Sequence, residues 1–326
     1  MDAALGPSLL AHLPTPLERA DRLGQELGLA PGRLWVKRDD CTGLATGGNK
    51  ARKLELLVAD ALATGSDVLV TAGGLQSNHA RTTAAAAARV GLGCVLAFNS
   101  DAPAKTEGNQ LLDLILGAER RFVGPLAMDD LNEVVNRIVE ELRAANRKPY
   151  LIPVGGSSPL GASAYVGAAE EIVADLGHDD VLVITATASG GTHAGLAARL
   201  GHGRVLGIDV GAFADAASIV RQLTIDVAVL KGLPIPTGQP HVLRDQVGDG
   251  YGAPTAACRE AIRLAAQSEG LLLDPVYSGK ALAGLINLKP ATMEAKAIVF
   301  LATGGAPALF TSRYEDWLAE ANPRSA

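Results

Sequence analysis

The chain has 326 residues, longer than one typical domain, and 48% of them are apolar, which is ample for a sizeable core. A formal charge of −6, scattered basic residues and 4% aromatic content argue against the basic field and stacking platforms of a nucleic-acid binder. No stretch runs to about 18 apolar residues without a charge, so a membrane span is not expected.

The N-terminal "MDAALGPSLLAHLPTPLERADRL" has no basic segment ahead of a long apolar stretch, so it does not read as a secretory signal, and a soluble cytoplasmic protein is expected. Along the chain, apolar runs alternate with helical, alanine-rich segments. "RLWVKRDD" (33–40) reads as a strand, and "DVLVTAGG" (67–74) as a strand entering a glycine turn. "NHARTTAAAAARVG" follows as a helix closed by Gly91. "CVLAF" (94–98), "PYLIPVGG" (149–156), "VLVITATASGG" (181–191), "RVLGIDVG" (204–211) and "AIVFLATGG" (297–305) repeat the theme. Apolar strands that end in glycine and lead into helices predict parallel β/α units covered on both faces. Sites in such sheets lie at the carboxyl ends of the strands, where these turns fall. "KGLPIPTGQP" (231–240) reads as a surface loop. Cys41, Cys94 and Cys258 form no C-x-x-C pair, so reduced thiols and no metal site are expected.

Four turns carry candidate chemistry. "SGGTHAG" (189–195) joins a strand to a helix, and its small residues, hydroxyls and helix N-terminus suit a phosphate. Asp209, near the end of the next strand, gives a dinucleotide reading some appeal, but G-G-x-x-x-G is not G-x-G-x-x-G. A tight structural turn explains that glycine pair about as well. "GGLQSNHAR" (73–81) sets Gln76, Ser77, Asn78 and His79 before a helix. One or two of them serve as a cap, while four in succession suit a carboxylate or the oxygen of an aromatic cofactor. "LLLDPVYSGKALAGLI" (271–286) puts Tyr277 and Ser278 just past an expected apolar strand, and "FLATGGAPALF" (300–310) puts Thr303 at a strand end. A fifth stretch, "GGNKARK" (47–53), poses a separate question: a solvated basic helix start, or a lysine that does covalent chemistry.

Together with "HLPTPLERADRLG", "WVKRDDCTG", "PVGGSSPLGASAYV" and "GYGAP", these stretches cover most of the chain in order. They resemble pyridoxal-phosphate enzymes of the tryptophan-synthase-β-like fold (fold type II). More narrowly, they are similar to the family of 1-aminocyclopropane-1-carboxylate deaminase, D-cysteine desulfhydrase and L-cysteate sulfo-lyase. Residues 99–125 and 212–245 carry little family motif. The resemblance implies an α/β chain of two domains, each an open, mainly parallel sheet flanked by helices. Residues 1–47 and 163–326 would form the larger, cofactor-binding domain and 48–162 the smaller, with the cofactor between them and the chain assembled as a homodimer.

By the same resemblance, Lys50 bonds covalently to pyridoxal 5'-phosphate and Lys53 reaches toward its phosphate, with Ser189, Gly190, Gly191 and Thr192 around that phosphate. Asn78 would bond the ring oxygen, and Thr303 would face the pyridine nitrogen. Ser77, Asn78 and His79 would take the substrate carboxylate, with Tyr251, Tyr277 and Ser278 near the substrate and Lys50, Tyr277 and Ser77 catalytic. Arg52 is left as the solvated helix residue.

The reaction turns on Ser278 and Thr303. In the cyclopropane-cleaving deaminases the corresponding positions resemble glutamate and leucine, and a carboxylate opposite the ring nitrogen makes the cofactor a strong electron sink. Two hydroxyls give a milder sink, suited to loss of a sulfur leaving group after removal of the α-proton. The expectation is α,β-elimination from a small amino acid to pyruvate and ammonia, with D-cysteine first, L-cysteate as the alternative, and cyclopropane deamination or a non-catalytic binding protein behind them.

Overall fold

The computed structural model describes residues 9–128 and 130–319, so the first eight residues of the expected larger domain and its last seven lie outside the described part. Among the described residues the strands, in chain order, are β1 (Leu17–Arg19), β2 (Leu34–Lys37), β3 (Val68–Gly73), β4 (Gly93–Phe98) and β5 (Glu119–Phe122). β6 (Pro149–Leu151), β7 (Val181–Thr187), β8 (Val205–Asp209), β9 (His241–Leu243) and β10 (Ala297–Leu301) follow. The helices are α1 (Asp21–Glu26), α2 (Lys50–Ala63), α3 (Asn78–Val90), α4 (Asn109–Ile115), α5 (Leu131–Ala144) and α6 (Pro159–Leu176). The chain closes with α7 (Gly191–Leu200), α8 (Ala216–Lys231), α9 (Ala256–Glu269), α10 (Ser278–Asn287) and α11 (Ser312–Ala319).

Two sheets result. One runs β1-β2-β10-β7-β8-β9, parallel except for β1 against β2, and the other runs β5-β4-β3-β6, wholly parallel. The expected α/β architecture is present, and each of the seven expected strands cited by range is found. "LLLD" (271–274) is not a strand: Leu271 and Leu273 plug into the core and Leu272 faces out, without a ladder partner.

Both faces of each sheet are covered. On the four-stranded sheet, α5 buries Leu131, Val134, Val135, Ile138, Val139 and Leu142 against Val68, Val70, Ala72, Val95 and Ala97. That spacing of three and four residues aligns one helical stripe with the sheet, at about 1.5–3 kcal/mol per fully buried large side chain. α2 and α3 cover the opposite face. On the six-stranded sheet, α9 and α10 pack on one face and α6 and α7 on the other. The α6–α7 contact is made close by Gly195, where a Cβ would stand 2.1 Å from the Ala162 carbonyl oxygen. No described helix is long and apolar enough to cross a membrane. Lys231 ends α8, and residues 232–240 form a mostly exposed loop after it, as the composition predicts.

Candidate active site

The carboxyl ends of β3, β7 and β10 deliver the glycine turns of the sequence to one place. α3 starts at Asn78 because Ser77 has extended backbone and its Oγ accepts from the Ala80 N–H at 3.1 Å. α7 starts after Gly190, which holds the left-handed φ of 79° that lets the chain turn sharply out of β7. α2 starts at Lys50. The segment before it is fixed from three sides: Gly48 exchanges bonds with Thr42 Oγ1, Asn49 N–H donates to the Thr303 carbonyl at 3.0 Å, and Arg81 donates to the Ala45 and Gly47 carbonyls.

Two small adjoining cavities lie at this meeting point. The first, of about 30 Å3, is lined by Lys50, Lys53, Asn78, Ser189, Gly190, Gly191, Thr192 and Thr303, which are all eight residues expected to hold the cofactor. The second, of about 40 Å3, is lined by Ser77, His79, Tyr251 and Tyr277, all expected at the substrate. Lys50, Ser189 and Tyr277 line both. Ser278 lines neither: it is fully buried, donates its proton to Asp274 Oδ1 at 2.6 Å and accepts from the Asp274 N–H.

Two lysines dominate the electrostatics. Lys50 Nζ donates to the Gly155 carbonyl at 3.3 Å, and Lys53 Nζ donates to the same carbonyl at 3.2 Å and to Ser157 Oγ at 3.2 Å. Burial lowers the Lys50 pKa to about 8. Burial, and then the charge of Lys50, pushes Lys53 well below the usual lysine value. Among the described residues both ammonium groups rest on neutral oxygens alone. A dianion between them would relieve both.

The cradle opposite fits a phosphate. A Cβ on Gly191 would stand 2.6 Å from Lys53 Nζ, so only glycine leaves that space open. Asn49 Nδ2 donates to Thr192 Oγ1 at 3.0 Å, and Ser157 Oγ lies 2.8 Å from Ser189 Oγ and accepts from Gly191 N–H at 3.3 Å. No described group of three His, Cys, Asp or Glu residues is arranged to hold a metal ion.

On the substrate side, hydrogen-bond arithmetic fixes the His79 tautomer. Thr71 has one hydroxyl proton and gives it to the Ile152 carbonyl at 2.8 Å, so His79 Nε2, 2.9 Å away, must be the donor to Thr71. Burial, then Lys50 and Lys53, hold the ring neutral. Nδ1 is therefore an acceptor without a partner among the described residues, and only the backbone N–H of His79 is of use to a carboxylate. The Tyr251 and Tyr277 hydroxyls are hydrogen-bonded to each other with the rings edge to face at 6.1 Å, and burial raises both pKa values, that of Tyr251 to about 12.

Comparison with known proteins bears on this arrangement. Residues 9–304 match the family model described as pyridoxal-phosphate dependent enzyme. The chain belongs to that family. Within it, a D-cysteine desulfhydrase of Salmonella choleraesuis (strain SC-B67) is 42% identical, the match covering 92% of this chain and 94% of the relative. That of Salmonella typhi is 42% identical with the same coverage. A crystal structure of an ACC deaminase homologue superimposes with a TM-score of 0.86 at 36% identity, over 97% of this chain and 99% of that one. A pyridoxal 5'-phosphate-dependent aspartate racemase, 15% identical with a TM-score of 0.65 over 89% of this chain and 90% of that one, shares the fold alone. The dinucleotide reading is set aside: Asp209 lines neither cavity and instead closes its own turn by accepting from Gly211 N–H at 2.8 Å.

This pyridoxal-phosphate enzyme also uses residues that the sequence did not single out. Asp274 is buried and accepts from Val276, Tyr277 and Ser278 N–H groups as well as the Ser278 hydroxyl, fixing the turn that carries Tyr277. Asn109 Nδ2 donates to Asn78 Oδ1 at 2.9 Å from a segment poor in motif. Arg81 and Ser157 lie inside "GGLQSNHAR" and "PVGGSSPLGASAYV", without a local signal that sets them apart. Arg52 is a correction. It is 2% exposed, not solvated, and its guanidinium bonds both Asp39 and Glu171.

Proposed function

We propose that the chain is a D-cysteine desulfhydrase, converting D-cysteine to pyruvate, sulfide and ammonia. The observation that carries this is the division of the site. The eight residues expected at the cofactor line one cavity, four of the six expected at the substrate (Ser77, His79, Tyr251 and Tyr277) line the next, and Lys50 faces both. The 42% identity to D-cysteine desulfhydrases over most of the chain supports the choice of substrate.

Bound pyridoxal phosphate would supply a covalent anchor for the substrate nitrogen and a sink for the electrons left at Cα. Lys50 would hold it through Nζ, and Lys53, Ser189, Gly190, Gly191 and Thr192 would hold its phosphate. Asn78 and Thr303 would bond the ring. The backbone N–H groups at the start of α3, capped by Ser77, would receive the substrate carboxylate. With a pKa of about 8, Lys50 Nζ is in part a neutral amine near neutral pH and takes the α-proton as a general base. Tyr277, neutral and paired with Tyr251, would steer protons toward the departing sulfur. Ser278 acts through the Asp274 turn. Ser278, at the position where the deaminases resemble glutamate, is a hydroxyl turned to Asp274, so the ring nitrogen meets no carboxylate from that position, which suits loss of a sulfur leaving group better than opening of a strained ring.

In this reading residues 1–47 and 163–326 form the larger domain, around the six-stranded sheet, and 48–162 the smaller, around the four-stranded one. Free thiols at Cys41, Cys94 and Cys258 suit the cytoplasm, and assembly as a homodimer is checked by light scattering. The decisive experiment is pyruvate release from D-cysteine, L-cysteate, L-cysteine, D-serine and the cyclopropane amino acid, side by side. D-cysteine should lead by at least an order of magnitude. A faster reaction with the cyclopropane acid or with L-cysteate would overturn the substrate assignment. Lys50→Ala should remove the cofactor's visible absorption and activity together.

A further inference from the structure

A third cavity, of about 310 Å3, shares Gly74, Met128 and Tyr251 with the substrate cavity. Both halves of the molecule build it: the turn after β3 and the loop after β4 on one side, the segment around Tyr251 and the start of α11 on the other. It is several times larger than either inner cavity, and a bare thiol leaving Cβ needs almost none of it.

Its charges are unequal. Lys105 pairs with Glu107 at 3.0 Å, and the other Glu107 oxygen accepts from Ser312 N–H and Oγ, so these two groups cancel. The amides in the wall are committed: Gln76, Asn99 and Gln110 each donate to a backbone carbonyl, of Glu107, Leu126 and Leu75. Arg313 remains. Its guanidinium lies over the Tyr314 ring, 5.6 Å from the centroid, and among the described residues it has no carboxylate partner. Tyr314 is itself fixed, buried and donating to the Gly252 carbonyl at 2.6 Å. The chamber thus offers room, Met128 and Val276 as apolar wall, and one unpaired cation.

We propose that this chamber receives the tail of a larger leaving group, so that the enzyme also eliminates thiols from S-substituted cysteines whose sulfur substituent ends in a carboxylate, with Arg313 binding that carboxylate. The inference rests on the elimination chemistry proposed above. For a substituent R, RS–CH2–CH(NH3+)–COO− and water give RSH, pyruvate and ammonium. The Cβ–S bond breaks with its electron pair going to sulfur, which takes up a proton, and the α-proton leaves to the Lys50 amine. No oxidant or reductant is needed.

The test compares S-carboxymethylcysteine with S-carbamoylmethylcysteine, which match in shape and differ in charge. Both are used as racemates with the holoenzyme, and the rate with D-cysteine is the internal reference. Binding is read separately from the change in cofactor absorbance. The wild type should favour the carboxymethyl compound by about threefold to tenfold in kcat/KM and in affinity, the range of a solvent-facing to partly shielded charged contact. Arg313→Gln should bring the two to parity. Parity in the wild type, or a preference that survives in Arg313→Gln, overturns the proposal. So does turnover of D-cysteine with neither S-substituted compound bound. If D-cysteine is inert while the charge preference persists in binding, the substrate assignment fails and the chamber stands.

Discussion

The seven residues "GGNKARK" end in three cations that the fold treats in two ways. Arg52 is buried in a network with Asp39 and Glu171, its fork matched by carboxylates at 2.7–3.1 Å and joined by Thr15. Burial alone would lower its pKa, but the two carboxylates raise it on balance. Lys50 and Lys53, on either side, are held by one carbonyl and one hydroxyl, and burial lowers both. A buried cation with its counter-charge built in is architecture, whereas two without one are half of a binding site. The missing half is the anion that the Gly190–Gly191 turn is shaped to receive.

The contrast breaks most visibly at Arg52. Arg52→Met leaves the buried Asp39 and the half-buried Glu171 short of a shared partner, and a loss of about 3–5 kcal/mol is expected. It should appear in chemical denaturation with and without cofactor alike, because the network serves the fold. A loss confined to the cofactor-loaded protein would place Arg52 with the lysines.

Lys53→Met should do the reverse. In the cofactor-free protein it replaces an uncompensated buried ammonium by an apolar chain of similar length, and an effect from neutral to about 4 kcal/mol stabilising is expected at pH 7. The sign with pH follows from the lowered pKa. Between the folded and unfolded values the unfolded chain binds more protons, so wild-type stability rises with pH in that window. For Lys50 the window runs from about 8 to the ordinary lysine value of 10.5. For Lys53 the folded value likewise lies well below 10.5, so the advantage of Lys53→Met should shrink as the pH rises past 10.5 and wild-type Lys53 becomes neutral in both states. With pyridoxal phosphate the order inverts. Loss of a charge-assisted bond of about 1.5–3 kcal/mol weakens cofactor affinity by roughly tenfold to a hundredfold. Equal cofactor affinity in the two proteins would remove Lys53 from the phosphate site.

The same contrast explains what the sequence could and could not show. Interior strands such as β3 and β7 are covered on both faces and therefore read as apolar runs. β1, β5 and β9 were missed because they lie at sheet edges, are three or four residues long and carry polar residues such as Glu18 and Arg120. "LLLD" misled because alternating burial imitates a strand wherever a loop crosses a core. The glycine turns were legible because phosphate and carboxylate sites need open backbone, and that leaves only small residues in the pattern. Arg52 was misread because Glu171 lies 119 positions away, beyond any local periodicity. Asp274 was hidden for a different reason: its four bonds are local, but a capping carboxylate and an ordinary turn aspartate look alike in sequence.

The smallest expected effect belongs to Ser157, and it sharpens the comparison because this residue joins the lysine side of the site to the glycine turn. Its Oγ accepts from Lys53 Nζ at 3.2 Å and from Gly191 N–H at 3.3 Å. With both lone pairs occupied, its one proton goes to Ser189 Oγ at 2.8 Å, with the Gly155 carbonyl at 3.4 Å the weaker alternative. Ser189 is then an acceptor toward Ser157, and its own proton is free to point at an anion. Ser157→Ala removes that orientation without removing a charge, and a net hydrogen bond of about 0.5–1.5 kcal/mol corresponds to a loss of roughly twofold to tenfold in cofactor affinity. Titration of the cofactor-free protein with pyridoxal phosphate, followed by its absorbance, gives that number. Because Lys50 is untouched, kcat at saturating cofactor should stay within about twofold of the wild type. A large fall in kcat with unchanged affinity would mean that Ser157 acts on the lysine that does the chemistry, not on the phosphate turn.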